Sequence, residues 1–218
     1  MRKKIFVALI MLVAIPMASR AYDVNVDNLY FNVDAETKTA VVTHHYSYVD
    51  LTEIIIPEEI YYGDNPFKVT SIGKSAFSAC RGLTSVVLPN TIVSIGEYAF
   101  VDCEQLSSIT IPQSVTSIGS DAFMDCSQLS SITIPQSVTS IGSEAFMDCI
   151  GLTTVSYLSS ADIPRNLFLN CTGLVSVSIA EGVTTIGDSS FRGCSNITSI
   201  NIPTSVTAID DYAFAHCI

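Results

Sequence analysis

The sequence predicts a right-handed solenoid of seven stacked coils of about 23 residues, with a short parallel sheet on one face and short helical turns or loops on the other. Three observations carry that prediction. The seven cysteines are Cys80, Cys103, Cys126, Cys149, Cys171, Cys194 and Cys217, at successive spacings of 23, 23, 23, 22, 23 and 23. A phenylalanine stands three residues before each, at Phe77, Phe100, Phe123, Phe146, Phe168, Phe191 and Phe214, so two columns run in register. Two consecutive units are nearly the same text, LSSITIPQSVTSIGSDAFMDCSQ from Leu106 and LSSITIPQSVTSIGSEAFMDC from Leu129, as a recent duplication leaves them.

Each unit carries its own folding instructions. Leu106, Ile109 and Ile111 follow the Leu-x-x-Leu-x-Leu spacing of a leucine-rich-repeat-type coil, and the alternation over Ser108, Ile109, Thr110 and Ile111 fits a short half-buried strand. Pro112 ends pairing because it has no N–H to donate. Val115 and Ile118 anchor a return segment, and Gly119 is expected to permit a turn that a side chain would hinder. Ser120-Asp121-Ala122-Phe123 resembles a helix start, with a hydroxyl cap and acids at the positive end of the dipole. Phe123 and Cys126, three apart, point to one side. No such coil buries its apolar face alone, so neighbours must stack with strands roughly 4.8 Å apart. The same frame fits units from Leu83, Leu174 and Ile197. The unit from Leu152 loses its proline and Ile-Gly elements, and the first unit, from Leu51, has about nine extra residues between Pro57 and Val69.

Residues 1–21 read as an export signal: Arg2, Lys3 and Lys4 precede an apolar run from Ile5 to Ala18 and the small-residue site Ser19-Arg20-Ala21. The run is short for a bilayer, which takes roughly 20 residues, and no second run of that length follows, so no membrane span is expected. No cysteine lies near the cleavage site, which points to free secretion or non-lipid surface attachment. Removing Arg2, Lys3, Lys4 and Arg20 leaves six of the ten basic residues against 21 acidic ones, a net charge of −15. A phosphate backbone or an anionic membrane would be repelled, so neither nucleic acid nor membrane is an expected partner.

The phrase Ile-Pro-x-Ser-Val-Thr-Ser-Ile-Gly followed by Ala-Phe-x-x-Cys resembles the BspA-like leucine-rich-repeat family, over residues 51–217. That resemblance implies a surface or secreted protein of a host-associated microbe, of a kind associated with adhesion to host matrix proteins. The segment Asp27 to Tyr48, with Leu29-Tyr30-Phe31 and Ala40-Val41-Val42-Thr43, resembles the β-hairpin that precedes the repeats in such proteins. It makes residues 22–50 an N-terminal cap and 51–218 the solenoid.

Several features invite functional readings. One cysteine per coil and an odd total fit small buried groups better than a disulfide framework. Equivalent Cβ atoms about 4.8 Å apart also exceed the roughly 3.5–4.5 Å that a disulfide prefers, so free, unreactive thiols are expected. The outward strand positions form two columns: Glu53, Ser85, Ser108, Ser131, Thr154, Ser176, Ser199, and beside it Ile55, Val87, Thr110, Thr133, Ser156, Ser178, Asn201. The candidate binding face is Ser108, Thr110, Ser131, Thr133, Thr154, Ser156, Ser176 and Ser178, read against a plain soluble sheet surface because binding hot spots favour Trp, Tyr and Arg.

Arg165, one of two basic residues after Arg81, marks the irregular coil as a candidate specific site. Asp102, Asp125 and Asp148 form a row that could hold calcium, but without the shaped Asp-x-Asp-x-Asp-Gly loop they read as a solvated ridge. Tyr22, Tyr30, Tyr46, Tyr48, Tyr61 and Tyr62 are expected to pack the cap, and His44-His45 to be solvent-exposed on a strand. The triplets from Asn170 and Asn196 match the glycosylation acceptor pattern but are read as unused.

No catalytic constellation and no cofactor are implied, His216-Cys217 being only sequence neighbours. The expected function is a non-enzymatic secreted or surface module that binds extracellular protein or glycan, against the alternative of a structural spacer. The last unit stops at Cys217-Ile218 without a polar cap, which is expected to mean either a longer protein or end-to-end docking on a partner or another copy.

Overall fold

The computed structural model describes residues 23–217. Residues 1–21, which the sequence reads as an export signal, lie outside the described residues together with Tyr22 and Ile218. The described chain starts with three strands, β1 (Val24–Val26), β2 (Leu29–Asp34) and β3 (Thr39–Val42), followed by a 3-10 turn over Tyr46–Asp50. The first coil holds β4 (Glu53–Ile55), β5 (Glu59–Tyr62) and β6 (Asn65–Ile72). Later coils each bring one or two strands: β7 (Ser85–Val87) and β8 (Ser94–Ile95), β9 (Ser108–Ile109) and β10 (Ser117–Ile118), β11 (Ser131–Ile134) and β12 (Ser140–Ile141). After them come β13 (Thr154–Tyr157), then β14 (Ser176–Ile179) with β15 (Thr185–Ile186), and β16 (Ser199–Asn201) with β17 (Ala208–Ile209).

The coils are three-sided. On the first face the strands predicted from the Leu-x-x-Leu-x-Leu spacing pair in parallel, in ladders β4-β7-β9 and β11-β13-β14-β16. On the second face the return segments pair as well, in β6-β8-β10-β12 and β15-β17, with a single bridge from Ile163 to Ile186. The extra residues of the first coil form an antiparallel hairpin of β5 and β6, turned at Gly63 with φ +62°.

The third face is where the structure departs from the expected helix start. Asp121, the second residue of the supposed first helical turn, has φ +55°, which no right-handed helix contains. Two residues per coil adopt this left-handed form, at Phe − 2 and Phe + 2, as in Asp121 and Asp125 or Asn166 and Asn170. The N–H groups of those residues and of the phenylalanine between them then donate to the next coil: Asp121 to Ser143, Phe123 to Ala145 and Asp125 to Met147, at 2.8–3.1 Å. A helix would spend these donors within one coil, whereas the left-handed turns spend them on stacking.

The interior is a continuous aromatic column. Successive rings from Phe77 to Phe214 stack with centroids 5.1–5.6 Å apart. Such pairs contribute about 0.5–1.5 kcal/mol each beyond their burial. The cysteine beside each ring is free, and six of the seven are buried. From the second coil on, each thiol donates to the phenylalanine carbonyl of the preceding coil, as Cys126 does to Phe100 at 3.3 Å and Cys171 to Phe146 at 3.1 Å. A cysteine there is thus both a small apolar filler and a weak donor to an interior carbonyl.

The glycine that precedes the third-face turn in five of the seven coils has a different reason from the one expected. Gly119 does not have positive φ; a Cβ there would lie 2.4 Å from Glu97 N of the coil below, so its hydrogen atom permits close stacking rather than a special turn.

At the N-terminus β1, β2 and β3 form an antiparallel meander, one strand more than a hairpin, and β3 joins β6 in parallel, extending the second face. Tyr48 sits on the end of the aromatic column, its ring 5.1 Å from Phe77, and its hydroxyl accepts the Tyr30 N–H at 2.6 Å. His45 is not a solvent-exposed strand residue: it follows β3, stacks on Tyr30 at 3.6 Å and caps the 3-10 turn by accepting from Ser47 N–H. His44 is exposed. The tyrosines divide as well. Tyr48 is buried and Tyr30 half-buried, but Tyr46, Tyr61 and Tyr62 are exposed rather than packed, because the turn and the hairpin carry them off the end of the core.

Candidate binding face

The first face projects the eight candidate hydroxyls of the binding face outward, while the alternate positions Ile109, Ile132, Val155 and Val177 are buried beneath them. Register aligns them across coils: Ser131, Thr154, Ser176 and Ser199 in one column, Thr133, Ser156, Ser178 and Asn201 in the other. Seven of the eight are exposed and Ser156 is half-buried.

Hydroxyls elsewhere on these coils have different work. In the column just before the strands, Thr84, Ser107, Ser130 and Thr153 each donate to the carbonyl one coil back, at 2.8–3.3 Å. Thr116, Thr139 and Thr207 do the same before the second-face strands. Ser108, Thr110, Ser131, Thr133, Thr154, Ser156, Ser176 and Ser178 make no side-chain hydrogen bond among the described residues. Their donors and acceptors are open to solvent or a ligand.

The face is not uniform. The first-face ladder is interrupted between β9 and β11, although the two coils have the same residues there, and nothing in the sequence marks the break. A shallow depression of about 380 Å³ opens at that point, lined by Ser108, Thr110, Gln113, Ser131 and Thr133. Toward the N-terminal end hydrocarbon replaces hydroxyl, at Val87 and Ile55.

Arg165 does not join this surface. It follows Ile163 of the second face, is exposed, and has no ion pair or ring contact among the described residues. Lys74 and Arg81 are by contrast paired with Glu97 and Glu104, and Arg192 lies over the Tyr212 ring.

The acidic row has a conformational cause. Asp102, Asp125 and Asp148 share a column with Ala79, Asn170, Gly193 and His216, and all seven have φ between +57° and +77°. Asp and Asn are among the residues that tolerate this region best. Partial burial, with Asp148 and Asp102 on either side, pushes the Asp125 carboxyl up. Among the described residues no set of three or more His, Cys, Asp or Glu converges in a metal-holding arrangement.

Burial likewise pushes the thiols up, Cys80 to about 11 and Cys194 to about 12, which keeps them as protonated donors rather than nucleophilic thiolates. Cys217 is half-buried, and its neighbour His216 is exposed.

Stacked coils with these strands and this apolar spacing define a leucine-rich-repeat solenoid. The chain belongs to the BspA type leucine rich repeat family, whose repeat region matches in six copies over residues 39–172 and 161–218. It is similar to the crystal structure of a leucine-rich repeat protein from Bacteroides ovatus, with 28% identity, a TM-score of 0.67, and 87% of this chain and 56% of that one covered. A leucine-rich repeat protein from Bacteroides capillosus matches with 29% identity and a TM-score of 0.53 over 61% of this chain and 96% of that one. The Treponema pallidum leucine rich repeat protein shares the fold, with 23% identity, a TM-score of 0.63, and 78% and 87% covered. This chain thus spans little more than half of the B. ovatus protein. No curated protein matches it. No helix among the described residues is long and apolar enough to cross a membrane.

Proposed function

We propose that this chain is a non-enzymatic, secreted or surface-displayed binding module that docks extracellular protein or glycan on its first face. The observation that carries the reading is the division of labour among hydroxyls: neighbouring columns spend theirs on stacking, and the eight of this face are left unspent. A row of donor–acceptor groups repeated once per coil suits a broad, low-affinity contact with a polar partner, in keeping with the extended surfaces that solenoids offer. The net charge of −15 after loss of the signal segment disfavours polyanions and leaves neutral or basic partners.

Replacing Ser108, Thr110, Ser131 and Thr133 together with lysine fills the depression and places four positive charges on a neutral face without touching the interior. On arrays of immobilised matrix proteins and glycans, the variant is expected to lose at least tenfold in binding while its thermal unfolding stays unchanged. Equal binding by the variant overturns the reading. If the native chain retains nothing on such arrays, the continuous aromatic column favours the other reading, a stiff spacer.

A further inference from the structure

The cap seals the first coil unevenly. On the second face β3 pairs with β6, and at the interior Tyr48 covers Phe77. Among the described residues β4 pairs on the first face with β7 alone, so no described strand lies beside its other edge. In the register Glu53–Ser85, Ile54–Val86, Ile55–Val87, the Ile56 N–H donates to the Val87 carbonyl and the Thr52 carbonyl accepts from Thr84 N–H. Thr52, Ile54 and Ile56 therefore face β7, and the N–H and C=O of Glu53 and Ile55 face outward. Among the described residues those outward groups have no hydrogen-bond partner.

Two further features surround this edge. The Ile55 side chain is 72% exposed beside Val87 at 54%, an apolar shelf at the end of a face otherwise made of hydroxyls. Asp50, Glu53 and Glu58 bracket the strand, all are exposed, and none has an ion pair among the described residues.

We propose that the outer edge of β4 takes up an extended cationic peptide segment as an added strand. Its main chain pairs with Glu53 and Ile55, an apolar side chain covers Ile55 and Val87, and lysine or arginine side chains meet Asp50, Glu53 and Glu58. Strand addition of this kind draws affinity from main-chain pairing and specificity from alternate side chains. The carboxylates decide the occupant. A second copy pairing edge to edge would set Glu53 and Asp50 against their own equivalents, the like-charge device by which exposed edges avoid self-pairing. A basic segment turns the same charges into attraction. The three-residue length of β4, closed by Pro57, limits the added strand to a short peptide.

The probe is an acetylated, amidated octapeptide of alternating valine and lysine, titrated into the full chain with hydrogen exchange read at each amide. Binding is expected to protect the Glu53 and Ile55 amides and to weaken with salt. It should fall at least tenfold when alternate peptide nitrogens are methylated, which removes strand pairing and keeps the charge. The Ile55→Pro variant should lose binding to the same degree, because proline deletes the outward donor and leaves the bonds of Ile54 and Ile56 to β7. A paired Asp50→Lys and Glu53→Lys variant, which touches no buried group, should also lose it. No binding, undiminished binding of the methylated peptide, or undiminished binding by the charge variant overturns the proposal. The lysine variant of the hydroxyl face should bind the octapeptide normally, so this proposal and that reading fail separately.

Discussion

The coil that begins at Leu129 and the coil that begins at Leu152 are stacked neighbours that secure their second faces by different means. In the first, Ser140 and Ile141 pair with Ser117 and Ile118, and the Gly142 N–H donates to the Ile118 carbonyl at 2.8 Å. In the second, the position after Ile163 is Pro164, which has no N–H to offer, and the ladder stops at β12. Side chains take over. Ser159 Oγ donates to the Val138 carbonyl at 2.7 Å, and the buried Tyr157 hydroxyl donates to Ala161 and Asp162 carbonyls at 3.0 and 3.3 Å. The Asp162 carboxylate accepts from Thr184 N–H and Thr185 N–H of the next coil, both at 2.8 Å. Meanwhile Phe168 stacks at 5.6 and 5.4 Å on its two neighbours, and Cys171 donates as the cysteine of every coil from the second on does. The interior column is what a coil must keep, and the second-face ladder is what it can replace.

The strongest way to break that comparison is to remove a ring from each coil. Phe146→Ala and Phe168→Ala are each expected to cost about 3–5 kcal/mol, since both rings are fully buried and a cavity would interrupt the column. Urea unfolding of the two variants should give matching losses. A much smaller loss at Phe168 would mean that the irregular coil is a weak joint and that its interior is not equivalent.

The second faces should then separate the coils. In Gly142→Ala the new Cβ lies 2.2 Å from Ser120 N, a backbone atom that cannot swing aside. A loss of about 1–3 kcal/mol is expected, as for overpacking in a core. At the equivalent position of the irregular coil, Pro164→Ala should change the unfolding midpoint little, because that coil already stacks there with a side chain present. Tyr157→Phe should cost about 1 kcal/mol by stranding carbonyls that no ladder reaches. If Gly142→Ala is neutral, the close stacking of the glycine column is not a constraint.

These contrasts also show which parts of the structure could be read from the sequence. The phenylalanine and cysteine columns were legible because each asks for one residue type at one place per coil, and the Phe-x-x-Cys pairing survives even where the second face fails and the spacing shortens to 22. The outward hydroxyls were legible as a surface from strand alternation. Their freedom was not, because Ser107 and Ser108 are the same residue in adjacent columns, and only the stacking geometry lets one reach a carbonyl. Asp121 misled toward a helix start, since Asp is favoured at a helix N-terminus and in left-handed turns alike. His45 looked like a strand residue because nothing local announces that the chain leaves β3 at Val42 and turns to bring Tyr48 over Phe77.

The smallest expected effects concern two aspartates, one in each kind of coil, whose pH dependences should run in opposite directions. Asp121 is buried on the third face next to Glu144, and burial first, then the neighbouring carboxylate, raises its pKa. An acid with a raised folded pKa burdens the native state in its ionised form, so stability from this site is present in acid and lost as pH climbs through the folded value. Asp162 is exposed. Its slight burial would raise its pKa, but the N–H groups of Thr184 and Thr185 and the Thr184 hydroxyl outweigh that and lower it. Its contribution is therefore present above the unfolded carboxyl range of about 4 and lost as pH falls through the lower folded value. Asn replaces either residue without strain, and it also suits the left-handed φ of Asp121. Asp121→Asn should stabilise the chain at pH 7 and leave it unchanged near pH 3, whereas Asp162→Asn should destabilise it at pH 7 with the difference shrinking in acid. Thermal unfolding across that range checks both. A loss of stability in both variants at pH 7 would mean that the Asp121–Glu144 contact holds its coils together rather than straining them, and that the third face tolerates less than its repeated left-handed turns imply.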